Sequence, residues 1–178
     1  MKTIFSKDTA NKKIFVTREF NAPLEQVWKA WTKSDILDQW WAPKPWKANT
    51  KSLDFREGGL WLYYMEGPDG IRHYCRADYK MIVPKKMFVG DDSFCDENGN
   101  ITNTAPGMHW QVEFFKTDSG TKVQVEITFA SEKDLNTIVE MGFQEGFSMA
   151  HDNLDELLAK KWNKQSNSIS FSLLFFIA

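Results

Sequence analysis

The sequence predicts an α+β domain: a curved antiparallel sheet of about seven strands wrapped around a long C-terminal helix, with two short helices after the first strand. Three patterns carry this expectation. Segments between Ile14 and Phe129 alternate apolar and polar residues with period two, two early segments repeat apolar residues at helical spacing, and the last third of the chain returns to helical spacing.

The first strand is read from Ile14, Val16 and Phe20 alternating with Phe15, Thr17 and Glu19, and it stops at Asn21. Pro23 then suits the first turn of a helix, where its missing N–H leaves nothing unpaired. Leu24, Val27, Trp28 and Trp31 form the apolar stripe of that helix. Thr32-Lys33-Ser34-Asp35 offers a fresh N-cap, so Ile36 to Trp40 is expected as a second short helix, ended by Pro43 and Pro45.

From Trp46 to Phe129 the period is that of strands. Cys75, Ala77, Tyr79 and Met81 share one face. So do Met108, Trp110, Val112 and Phe114, and likewise Val123, Val125, Ile127 and Phe129. Turn residues separate them at Gly58-Gly59, Pro68-Asp69-Gly70, Asp96-Glu97-Asn98-Gly99 and Asp118-Ser119-Gly120, which describes a meander of about six strands. Ser131 to Asp134 resembles a capping box. A continuous helix from there to Trp162 would measure about 48 Å, too long for a small domain, so a break is expected near Gly142 with the principal helix running from Phe143 to about Lys161.

These boundaries divide the chain into an N-terminal extension (residues 1–12), one domain (13–162) and a C-terminal tail (163–178). The tail turns apolar from Phe171 and is too short to span a bilayer. It is expected either to fray or to lie on its own domain or a second chain, and together with Phe115 it makes a homodimer an expectation. A net charge of −2 provides no basic field for nucleic acid or an anionic membrane surface. Cys75 and Cys95 form neither a CxxC pair nor a metal-ligand cluster, and no signal peptide is read at Met1 to Lys7, so a reducing cytoplasm is the expected location.

One strand, two short helices, a meander and a long terminal helix is the element order of the helix-grip, START-like (SRPBCC) superfamily. Arg18-Glu19-Phe20-Asn21-Ala22-Pro23, Val27 to Thr32, and Trp40-Trp41-Ala42-Pro43 resemble the opening of the activator of heat-shock protein 90 ATPase homologue family. Asp54 to Gly59, the Gly67 to Gly70 turn and Asn153 to Leu158 resemble it too, so the likeness covers roughly residues 12 to 160. The resemblance implies a protein that holds a lipid or polyketide, or one that serves as a chaperone cofactor. The better-known cofactors use an additional N-terminal domain, for which the residues before Lys13 leave no room.

The unusual quantity is 8 Trp, 4 Tyr and 14 Phe, 15% of the chain. Such rings either line a pocket between sheet and helix or meet in the middle and plug it. A dry, empty void of about 300 Å³ would cost roughly 7 kcal/mol, so a pocket of that size must hold water or a ligand. The expected lining is Trp40, Trp61, Tyr63, Tyr79, Met81, Trp110, Val112, Val125, Phe143 and Phe147, suited to a hydrophobic or aromatic small molecule. The Gly58-Gly59 bend could shift the parity of Trp61 and Tyr63.

Catalytic signatures are missing: no HExxH, GxSxG, GxxxxGK or GxGxxG sequence occurs, and His73, His109 and His151 lie in unrelated segments. Glu145 is the one acid–base candidate, relevant to a polyketide cyclase or hydrolase-like reaction if it faces the pocket. His73 and Cys75 share a strand face, but two ligands do not make a metal site, and no cofactor is expected.

Overall fold

The computed structural model describes the backbone of residues 2–174 and the side chains of residues 2–160. Its strands are β1 (Ile4–Asp8), β2 (Lys13–Phe20), β3 (Lys47–Leu53), β4 (Leu60–Glu66), β5 (Arg72–Val83), β6 (Met87–Cys95), β7 (Met108–Lys116) and β8 (Thr121–Thr128). The helices are α1 (Leu24–Thr32) and α2 (Ser34–Leu37), between β2 and β3, then α3 (Glu132–Glu140) and α4 (Phe143–Leu174). All eight strands form one antiparallel sheet in the order β1-β2-β8-β7-β6-β5-β4-β3. One face of it packs on α1, α2 and α4, which is the helix-grip arrangement.

The alternating segments bury the expected faces: Ile14, Val16 and Phe20 on β2, Trp110 and Val112 on β7, and Val123, Val125 and Ile127 on β8. The eighth strand is β1, which lies within the segment read as an extension. It pairs with β2 from Ile4 opposite Thr17 to Asp8 opposite Lys13. No alternation announced it, because an edge strand packs little of its face. Ile4 is exposed, while Phe5 meets Phe143 edge to face at 6.4 Å between ring centroids.

Met81 corrects the parity assigned to β5. The register between β5 and β6 shifts between Tyr79 and Met81, so Met81 faces outward and is 42% exposed, and Ile82 takes the inward place against the core. A bulge adds one residue to a strand and so inverts the facing of everything beyond it. The Gly58-Gly59 turn, by contrast, leaves Trp61 and Tyr63 inward, each 3% exposed.

The break between α3 and α4 falls at Gly142, whose φ of 85° is a left-handed value that L side chains resist. Ser131 caps α3 by accepting the Asp134 N–H. Helix α4 runs on to Leu174, past the expected end near Lys161. The expectation that the apolar tail rests on the domain or on a second chain concerns side chains outside the described residues.

Within α4, Phe147, Ala150, His151, Leu154 and Leu158 recur at spacings of one, three or four and are buried against the sheet and α1. One inward position of β2 carries a charge. Arg18, 3% exposed, donates to Thr3 Oγ1 at 2.9 Å and to Asp152 at 2.8 Å, and also pairs with Asp155. The guanidinium thus ties the N-terminal segment and β2 to α4. Among the described residues no helix is long and apolar enough to cross a membrane.

Candidate functional site

Between the concave face of the sheet and the start of α4 lies an apolar cavity of about 300 Å³. Four segments build it. The α3–α4 junction contributes Met141 and Gly142, and α4 adds Phe143, Gly146 and Phe147. Gly146 opens the wall: a Cβ there would stand 3.7 Å from Pro43 Cγ, in ordinary contact. The inward residues of the sheet form the floor, with Tyr63 and Met65 from β4, Cys75 from β5, Asp92 and Phe94 from β6, and Met108 and Trp110 from β7. The segment after α2 closes a third side with Trp41, Pro43 and Trp46, and exposed His73 stands against Trp46 with ring centroids 5.2 Å apart.

Polar contacts hold this wall in shape. Trp41 Nε1 donates to the Tyr63 hydroxyl at 3.0 Å. Asn153 of α4 donates to the carbonyls of Trp40 and Ala42 at 3.4 and 3.0 Å, pinning the segment that carries Trp41. Trp61 stacks on Tyr63 at 3.9 Å between centroids and donates through Nε1 to Thr50 at 2.9 Å. Phe147 packs edge to face on Trp110 at 5.5 Å. These rings are neighbours in space from four different segments.

Of the residues expected to line a pocket, Tyr63, Trp110, Phe143 and Phe147 do so. Trp61, Tyr79 and Val112 surround a smaller void of about 40 Å³ beside it, which shares Trp41, Trp110 and Asp92 with the large cavity. Trp40 and Val125 are core: Trp40 is 1% exposed and donates to the Ala30 carbonyl at 2.9 Å. Met81 is outside, as described above. Glu145 is exposed and does not touch the cavity, because Phe143, Gly146 and Phe147 set the inward phase of α4 and position 145 falls on the opposite side. Among the described residues no three His, Cys, Asp or Glu side chains are placed to hold a metal ion.

Sequence reasoning missed Asp92. It sits on β6 opposite Ala77 and Met108, with Phe94 on the same face, and is 9% exposed. Burial, reinforced by Asp78, pushes its carboxyl up to about 7. The alternation of β6 was the available signal, but Gly90 and Asp92 at inward positions dilute its apolar face below recognition. The same burial raises Tyr63, Tyr79 and the Cys75 thiol, which therefore stay neutral.

The fold agrees with what the chain resembles. Protein Ms6760 from Mycobacterium smegmatis is 29% identical, covers 89% of this chain and 97% of its own, and superposes with a TM-score of 0.82. A protein from Arthrobacter aurescens is 29% identical, with coverage of 88% and 91% and a TM-score of 0.83. One from Staphylococcus epidermidis is 27% identical, with coverage of 88% and 94% and a TM-score of 0.78. No functionally curated protein matches the chain. The activator of Hsp90 ATPase homolog 1-like protein family matches residues 21–159, the span from the end of β2 through the side of α4 that closes the cavity, and the chain belongs to that family.

Proposed function

We propose that this protein binds a hydrophobic or aromatic small molecule between the sheet and α4. The observation that carries the reading is the ring-lined cavity of about 300 Å³, at the lower end of the range of roughly 300–1,000 Å³ common for small-molecule sites. Trp41, Trp110 and Phe147 offer stacking surface, and a void of this size is too costly to leave dry and empty. Closely fitted hydrogen bonds around the wall keep it from collapsing, which favours a preformed site.

The test uses N-phenyl-1-naphthylamine, a neutral probe whose emission rises in apolar surroundings. Saturable enhancement at one site per chain is expected, with loss of binding in Gly146→Leu, which fills the cavity from a helical position. No enhancement, or equal enhancement in the filled variant, overturns the proposal. A role beside a chaperone is supported by the family match alone. Titrating the chain into an Hsp90-type ATPase checks it, and an unchanged rate removes it.

A further inference from the structure

We propose that the cavity selects cationic ligands, an apolar ring body carrying a protonated nitrogen, and that Asp92 is the group that selects them; this rests on the cavity being a binding site. Asp92 is nine-tenths buried and faces the cavity. Among the described residues no donor answers it. Trp41 Nε1 is committed to Tyr63, Trp61 Nε1 to Thr50 and Arg76 to Asp78, and Trp110 Nε1, buried at the same cavity, makes no hydrogen bond. A buried carboxyl without a partner is costly to keep, and the fold keeps it at the floor of the ring-lined cavity.

The surroundings narrow the chemistry. An anionic ligand would place like charges together in a site of low polarity, and a neutral hydroxyl would leave the carboxylate charge uncompensated. A cation supplies the missing charge and donors at once. The faces of Trp41, Trp110 and Phe147, which line the same space, attract a cation through their ring quadrupoles. Among the described residues no Lys or Arg lines the cavity to compete for Asp92.

Proton linkage follows from the groups around the carboxyl. From β4 and β5 these are Tyr63, Cys75, Tyr79 and Asp78, the last held by Arg76, with His73 at the rim; β6 adds Cys95. The cavity residues of β7 and α4 are Met108, Trp110, Phe143, Gly146 and Phe147, none of which titrates. Asp92 is thus the group whose ionisation creates the cation site.

Three naphthalenes of matched shape test this by displacement of N-phenyl-1-naphthylamine: 2-naphthylmethylamine, neutral 2-ethylnaphthalene and anionic 2-naphthoate. The amine is expected to bind at least about tenfold tighter than the hydrocarbon, a charge-assisted hydrogen bond in a buried site, and the naphthoate weakest. Asp92→Asn is expected to bring amine and hydrocarbon to equal affinity while hydrocarbon binding persists. Amine affinity is expected to rise about tenfold from pH 6 to pH 8 in the native protein and to stay flat in Asp92→Asn. Equal binding of amine and hydrocarbon by the native protein overturns the charge selection and leaves the apolar site standing. Binding of none of the three overturns both. A pH rise that persists in Asp92→Asn overturns the role of Asp92.

Discussion

The indole N–H of Trp41 donates to the hydroxyl of Tyr63 across 3.0 Å, joining the segment after α2 to strand β4 at the edge of the cavity. The two residues are 22 apart in sequence, and their rings meet edge to face at 6.4 Å. Tyr63→Phe leaves the ring but orphans the indole N–H, and a loss of about 1–3 kcal/mol in urea unfolding is expected. Trp emission should shift with it, since Trp41 loses its fixed partner. Unchanged stability would mean that the hydrogen bond does not hold the wall.

Two glycines of the cavity wall should respond in opposite directions. Gly146 lies within α4, and a Cβ there would make ordinary contact with Pro43, so Gly146→Ala is expected to stabilise by about 1 kcal/mol through helix propensity. Gly142, at φ 85°, turns the chain between α3 and α4, so Gly142→Ala is expected to destabilise by about 1–2 kcal/mol. Thermal melts of the two variants check the contrast, at roughly 2–4 °C per kcal/mol for a chain of this size.

Asp92 should cost the fold stability in a defined pH window. Its carboxyl is raised from 3.8 to about 7 by burial and Asp78, so the folded state holds this proton more tightly than the unfolded one. Stability from this group is therefore full below about pH 4, falls between about 4 and 7, and stays low above 7, by on the order of 4 kcal/mol at most. Urea unfolding of Asp92→Asn and the native protein should give equal stability near pH 4 and a variant more stable by a few kcal/mol at pH 8, less whatever burial of the amide costs.

His151 contributes in the opposite sense. Burial first, then the Arg18 charge, lowers it from 6.5 to about 3, so its contribution is full above about pH 6.5 and is lost as pH falls toward 3. In Asp92→Asn, where the carboxyl no longer opposes it, stability is expected to decline on acidification below pH 6.5. Replacing His151 with Phe in that background should flatten the decline; a decline of equal slope would show that His151 does not carry it.

Arg18 joins β2 to α4 through Asp152 and Asp155. Asp152 is 64% exposed and relaxes into water when the guanidinium is removed, whereas Asp155 is 28% exposed and relaxes less. Arg18→Met is therefore expected to cost about 1–3 kcal/mol, below the loss for a fully buried pair. Asp152→Asn is expected to cost less than about 1 kcal/mol. Denaturant midpoints separate the two, and equal losses would show that Asp152 carries the joint.

Much of the architecture was legible locally. Period-two alternation marked β2, β7 and β8 because one of their faces is dry, and the left-handed preference of glycine marked the break at Gly142. The edge strand β1 and the bulge before Met81 escaped, since neither an exposed edge nor one inserted residue changes the composition of its neighbourhood. Of the candidate lining, Tyr63, Trp110, Phe143 and Phe147 come together at the cavity, while Trp40 and Val125 are ordinary core.

By itself the sequence determined the fold class, the element order from β2 onward and the family to which the chain is similar, because periodicity and turn chemistry act over a few residues. Only the tertiary structure decided that the rings leave a cavity instead of filling it, that Glu145 faces water, and that Asp92 stands unpartnered at the cavity floor. Whether a carboxyl is solvated or stranded depends on what β4, β5, β7 and α4 place around it. Those elements meet only when the sheet closes on the helix, and no local pattern in the chain encodes the distance between them.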